Sequence, residues 1–169
     1  MAAEIRDLEL RIETKRRAQV QRRGLAEAHI SDNAVTFLRS DLPSEEHFEV
    51  AQKVTVDLNL NSFAVDGRNQ FSASSVTLLR NAVYFAFLFS SLELDFLRYP
   101  RLIICDNIED KGMVAARSQK FQKLVVERSS GFQVEHQIIF TTSMIAPEFN
   151  NSTYCVGDDY THENKSLRI

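Results

Sequence analysis

Glycine is scarce in this chain, with five in 169 residues, and none of them is followed by lysine. A Walker A phosphate loop, G-x-x-x-x-G-K-[ST], is therefore absent, and with it the cradle and lysine that hold nucleotide phosphates. Cysteine is nearly missing as well. Cys105 and Cys155 are too few for a disulfide framework or a four-cysteine zinc site. The histidines His29, His47, His136 and His162 lack metal-ligand spacing to one another or to cysteine. No apolar run is long: Ala82–Phe89 is the longest, far below the roughly 20 residues a membrane span needs. The N-terminal stretch is charged from Glu4 and has no apolar core region, unlike a signal peptide. These absences lead us to expect a cytoplasmic protein in a reducing compartment, with nucleoid association open and no membrane partner. A net charge of −3 means that any grip on nucleic acid must come from a local basic patch.

The composition, 44% hydrophobic and 25% charged, is that of a globular chain able to bury a core without staples. Residues 1–30 are rich in Glu, Arg, Ala and Gln and contain no proline, which predicts a helix. Ile5, Leu8 and Ile12 recur at helical spacing, then the stripe fades at Lys15 and Gln19. That pattern fits the end of a coiled coil or an exposed helix. Lys15–Arg23 holds five basic residues and no acidic one, either a solvated face or a contact for a phosphate backbone. Residues 31–169 form the main body. A second helix is expected near 32–40, capped by Asp32 or Asn33, with Val35 and Leu38 inward.

Alternation in 53–65 predicts a strand with Val54, Val56, Leu58 and Leu60 on one face, turning at Asn61-Ser62 into Phe63–Val65. Asp66-Gly67 signals a further turn. A long helix from residue 74 is apolar nearly all round between 82 and 89, and Tyr99-Pro100 ends it. RLIIC (101–105) and QIIFTT (137–142) read as buried central strands. Between them a helix over 113–128 carries Phe121, Leu124 and Val125 inward and stops at Ser129-Ser130-Gly131. Strand, helix, strand in this order predicts a parallel βαβ unit and an α/β fold. TYCV (153–156) and SLRI (166–169) are two further short strands by composition.

Asp106 falls at the carboxyl end of an apolar strand, where open α/β sheets place ligands. Four apolar residues ending in aspartate resemble a Walker B motif, whose carboxylate holds Mg²⁺. A turn acid would give the same pattern. Upstream, Phe71-Ser72-Ala73-Ser74-Ser75 precedes the long helix. Ser74 or Ser75 suits an N-cap, and the same hydroxyls and free amides suit a phosphate. Cys105 fits a core strand and Cys155 an edge strand. Arg80 and Asn81 face either a nucleotide, a partner or solvent, and Phe85, Phe87 and Phe89 belong to the core.

Taken together, F-S-A-S-S, a buried helix, R-L-I-I-C-D, a helix and I-I-F-T-T resemble the C-terminal lobe of an ABC-type P-loop NTPase head. The closest group is the SMC, RecF and RecN-like ATPases of chromosome maintenance and DNA repair. The resemblance covers about residues 50–169 and implies parallel core strands with flanking helices, plus an N-terminal coiled-coil-like helix as the returning arm. By this resemblance Ser72 is the signature serine, which contacts the γ-phosphate of ATP on an opposing head. Ala73, Ser74 and Ser75 belong to the same loop, and Asp106 is the Walker B aspartate. Ala73 and Ser74 stand where glycines are commonest.

Asn107 occupies the usual place of the catalytic glutamate, and an amide orients water but accepts no proton. Glu109 and Asp110 are then displaced candidates for the base, or acids capping the next helix. Thr141, Thr142 and Ser143 replace the switch histidine, with Thr142 available to a γ-phosphate. The resemblance thus implies ATP and Mg²⁺ as cofactors only beside an N-terminal lobe carrying Walker A. It further implies a second head as homodimer partner and DNA bound by the full assembly. A degenerate head acting as a dimerisation or partner-binding module is the alternative, and an unrelated α/β domain the plainest one.

Overall fold

The computed structural model describes residues 2–156. Its first element, α1 (Ala2–Arg39), is a single helix of 38 residues. The expected break at Asp32 and Asn33 does not occur: Asp32 takes part through its backbone carbonyl inside the helix, and the Asn33 side chain is used elsewhere. The Asp32 carbonyl accepts the Thr36 hydroxyl at 2.9 Å, while the Asn33 amide donates to Ser90 Oγ and Glu93 Oε2, each at 3.0 Å. With no proline to stop it, the helix runs through. From Ala3 to Leu25 its residues are exposed, including Ile5, Leu8, Leu10, Ile12 and Val20. At 1.5 Å per residue, residues 2–28 form an arm about 40 Å long. Only the stretch from Ile30 to Leu38, near the C-terminal end, enters the core.

After a one-turn helix, α2 (Glu46–Glu49), comes an antiparallel hairpin of β1 (Val54–Asp57) and β2 (Ser62–Val65), in register Val54↔Val65 to Asp57↔Ser62. The alternation extends beyond the strand it predicts. Asp57 Oδ1 accepts from the amides of Asn59 and Leu60 at 2.9 and 3.0 Å, which turns the chain. Leu58 and Leu60 therefore lie exposed in the loop rather than on the buried face. Asp66 and Gly67, both at positive φ, make the expected second turn.

Helix α3 (Ala73–Glu93) is the core helix. Leu78, Leu79, Ala82, Val83, Phe85, Ala86, Leu88 and Phe89 are all buried. By length and composition α3 is apolar enough to cross a membrane, yet 67% of its most apolar window is buried inside the protein. Its N-cap is Ser72, not Ser74 or Ser75. It ends at Glu93, several residues before Pro100, and leaving the axis early lets Tyr99 return to stack on Phe87 with centroids 5.6 Å apart.

The βαβ unit forms as expected. β3 (Leu102–Cys105), α4 (Ala115–Ser130) and β4 (Gln137–Phe140) follow in order, and β3 pairs parallel to β4 from Leu102↔Gln137 to Cys105↔Phe140. Neither strand is central. Among the described residues the sheet has two strands, and Leu102, Ile104 and Ile139 are exposed on one face while Ile103 is buried on the other. The fold is thus mixed helix and strand with a long N-terminal helix and two small sheets, without a full P-loop core in the described residues. TYCV forms a turn rather than a strand, with Tyr154 packed edge-on against Phe149, and SLRI lies outside the described residues.

Phenylalanine joins the layers. Phe37 of α1 lies 5.9 Å from Phe89 and 6.0 Å from Phe85 of α3, and 5.1 Å from Phe121 of α4. Arg128 covers this group, with its guanidinium 5.5 Å from the Phe37 ring and 5.2 Å from the Phe89 ring. The Asn33 side chain accepts from it, and its burial lowers the guanidinium pKa against the opposing pull of Glu93. Phe37→Ala is expected to lower unfolding free energy by about 3–5 kcal/mol. Leu10→Ala, on the bare arm, should stay within about 0.5 kcal/mol. Urea midpoints of the two variants check the contrast.

Candidate functional site

The chain leaves β3 at Asp106 and β4 at Thr141, and the parallel pairing sets these two positions side by side. Thr141 N–H donates to the Cys105 carbonyl at 3.0 Å, continuing the ladder by one step. Its hydroxyl then donates to Asp106 Oδ1 at 2.8 Å and accepts the Asn107 amide at 3.0 Å. Asp106 and Asn107 are both exposed, and Asn107 has φ 53, the left-handed turn that ends the strand. An exposed carboxylate held by one hydroxyl suits Mg²⁺, which takes one or two protein carboxylates and completes its octahedron with phosphates and water. No cluster of three or more His, Cys, Asp or Glu able to hold a metal by themselves exists among the described residues.

Glu109 sits differently. It is 6% exposed, its Oε2 accepts the Thr142 hydroxyl at 2.9 Å, and its Oε1 accepts both the Ser143 amide and, at 2.9 Å, the Ser143 hydroxyl. Both carboxylate oxygens are thus engaged in fastening the loop after β3 to the loop after β4. Thr142 donates to Glu109 and accepts the Met144 amide at 3.0 Å, so its hydroxyl is committed within the protein. Asp110 is exposed beside Lys111 at 3.5 Å. Asn81 also turns inward, donating to the Ile108 carbonyl at 2.9 Å, whereas Arg80 is exposed.

The serine loop is a second, separate place. Ser72 is exposed and caps α3, accepting the Ser75 amide at 3.3 Å and donating to the Ser75 hydroxyl at 3.0 Å. Ala73 is exposed on the first turn, and Ser74 is half-buried. Ser75 is fully buried, with its hydroxyl facing Arg117 at 3.3 Å. Asp106, Asn107, Glu109 and Thr142 are therefore brought together, and Ser72 to Ser75 are held apart from them.

Two residues that the sequence did not flag connect these places to α4. Arg117 reaches the serine loop, and the wholly buried Gln122 reaches the loop after β4. The Gln122 amide donates to Ser118 Oγ and to the Met144 carbonyl, each at 3.0 Å, and more distantly to Thr142 Oγ1 at 3.4 Å. Its carbonyl oxygen accepts the Ala146 amide at 2.9 Å. Their signal in the sequence is faint: a polar residue at an inward helix position, five residues from another.

The cysteines differ in exposure. Burial pushes the Cys105 thiol up to about 11, while Cys155 is exposed with its thiol donating to the Phe149 carbonyl at 3.0 Å. His136 accepts or donates at Ser129 Oγ, 2.7 Å away, and meets the Val134 carbonyl at 2.7 Å, a clasp between the end of α4 and the start of β4.

No protein-family profile matches the chain, and no curated protein matches it in sequence.

Glu109→Gln places an amide among three donors, and we expect a loss of about 1–3 kcal/mol in unfolding free energy. An unchanged urea midpoint would contradict the fastening role. For the thiols, alkylation at pH 8 should modify Cys155 well before Cys105, because the thiolate is the reactive form. Equal rates in the folded chain, read by intact-mass spectrometry, would contradict the burial assigned to Cys105.

Proposed function

We propose that this chain supplies the signature-loop and Walker B half of an SMC/RecF-like ATPase head, working in DNA repair, chromosome maintenance or DNA defence. The observation that supports the reading best is the unfinished parallel sheet that presents Asp106. Parallel sheets occur almost always with both faces covered, yet Leu102, Ile104 and Ile139 lie open on one face of β3 and β4. A lobe carrying the Walker A loop would extend and cover that sheet and bring the phosphates to the carboxyl ends of its strands. Asp106 would then hold Mg²⁺ in its own head, and Ser72, exposed at the α3 N-terminus, would meet ATP bound to a second head. The bare α1 arm is the part through which head engagement would be passed to a coiled coil and to DNA.

A second reading, a non-catalytic module that dimerises or binds a partner, is favoured by one specific observation. Asn107 holds the position of the base, and Glu109 has both oxygens tied to Thr142 and Ser143. In this version the lobes would assemble and bind nucleotide without turnover.

Co-purification with a Walker A-bearing lobe encoded beside this chain, followed by Mg-ATP hydrolysis, separates the two. We expect no hydrolysis by this chain alone, hydrolysis by the pair, and its loss in Asp106→Ala. Turnover unaffected by Asp106→Ala would remove the site assignment, and a stable pair that binds ATP but releases no phosphate would select the module.

A further inference from the structure

We propose that Arg117 is a positioning residue that ties the serine loop at the start of α3 to the C-terminal end of α1, so that the two move as one unit. The functional value of the link rests on the proposed reading of Ser72 as a phosphate contact. The link itself stands on geometry alone.

Arg117 is the third residue of α4, and its guanidinium divides between two partners. Towards α1, Nε donates to Asp41 Oδ1 and Oδ2 at 3.0 and 2.8 Å, and Nη2 donates to Oδ2. Asp41 follows the end of α1 by two residues, and its amide is bonded to the Leu38 carbonyl at 3.0 Å. Towards α3, Nη1 donates to Ser74 Oγ and Ser75 Oγ and Nη2 to Ser75 Oγ, all at 3.3 Å. Ser75 in turn bonds Ser72 through both its amide and its hydroxyl. Lys120, one turn along α4, adds a donor to the Asp41 carbonyl at 2.9 Å.

The side chains of Arg117 and Asp41 are 4% and 3% exposed, so neither can turn to water when the other moves. An arginine fork holds a carboxylate in fixed orientation, where a lysine would hold it at a point. A displacement at the foot of α1 carries Asp41, the fork follows the carboxylate, and the serine hydroxyls lose or regain their donors. A buried ion pair adds little stability over well-packed apolar residues. Sharing one fork between a carboxylate and two hydroxyls is the part of the arrangement that stability alone does not call for. Asp41 stands beyond the core-embedded stretch Ile30–Leu38, so a displacement of the bare arm reaches it only through that buried part of α1.

Amide hydrogen exchange on the full chain, without nucleotide, tests the link. In Asp41→Asn, amides of residues 73–78 should lose protection by on the order of tenfold, although the substitution lies on the far side of Arg117. Ser75→Ala should do the same to residues 36–42. In an Arg117→Lys background both remote effects should vanish, whereas losses that reach the far element by a route other than Arg117 would stay additive. Asp41→Glu, which keeps the charge, should show the same pattern more weakly and serves if Asp41→Asn does not fold. Effects confined to the mutated element, or remote effects that persist with Arg117→Lys, would overturn the proposal. Because no nucleotide is used, that failure is distinct from failure of the ATPase reading, which the Asp106→Ala hydrolysis assay judges.

Discussion

Helix α3 carries apolar side chains on most of its sides from Leu78 to Leu92, and all of them but Tyr84 and the half-buried Phe87 are kept from water. Burying one such side chain contributes roughly 1.5–3 kcal/mol, so a helix apolar all round can be satisfied only by neighbours on all sides. The C-terminal part of α1 supplies Phe37 and Leu38, α4 supplies Phe121 and Val125, the hairpin brings Phe63 against Tyr84, and Tyr99 closes over Phe87. Each of those elements takes its place from that demand. Only residues 30–38 of α1 are needed as cover; before them His29 meets Glu93 at 2.9 Å and Arg22 lies over the Phe96 ring at 5.8 Å, and the helix otherwise continues past the core.

Helix α4 does two jobs with one face. Its apolar positions complete the cover of α3, and its buried polar positions hold the loops on which the chemistry would depend. Arg117 and Gln122 are buried and fully partnered, and among the described residues no buried side-chain nitrogen or oxygen lacks a hydrogen bond. A buried polar group left unpaired costs more than a paired one contributes, which makes such networks specific about loop geometry. The hydrogen bonds of the serine loop and those of the strand ends share no partner among the described residues, yet both are pinned to the same helix. This shared support is why a change at either loop is expected to be felt along α4 rather than across solvent.

Among the described residues the parallel sheet stops at two strands. Two parallel strands with an open apolar face are less than such sheets usually contain, and this is the ground for proposing a complementary lobe. The loop chemistry bears on whether that assembly turns over. Thr141 orients Asp106 Oδ1, the oxygen that would meet a cation on the proposed reading, while Glu109 is engaged in joining two loops. A carboxylate held by three donors is stabilised where it is, and to act on water it would have to leave them.

Local pattern determined the elements themselves. The all-round apolar run of α3, the βαβ order and the turn at Asp66-Gly67 were legible because each follows from side-chain periodicity or backbone preference over a few residues. Tertiary structure decided the rest. Continuous passage of α1 through Asp32 and Asn33 depends on Ser90 and Glu93, nearly sixty residues away, which claim the Asn33 amide. The hairpin ends at Asp57 because its carboxylate captures two amides, although Leu58 and Leu60 keep the alternating pattern. The strands β3 and β4 look central in sequence, yet burial depends on what covers them, and no strand neighbours of theirs lie in the described residues. Among the site residues, Asp106 and Ser72 stood out by position in a motif, whereas the partners of Glu109, Ser75 and Arg117 did not. Their roles arise from contacts between segments 33 to 76 residues apart, which no local pattern can encode.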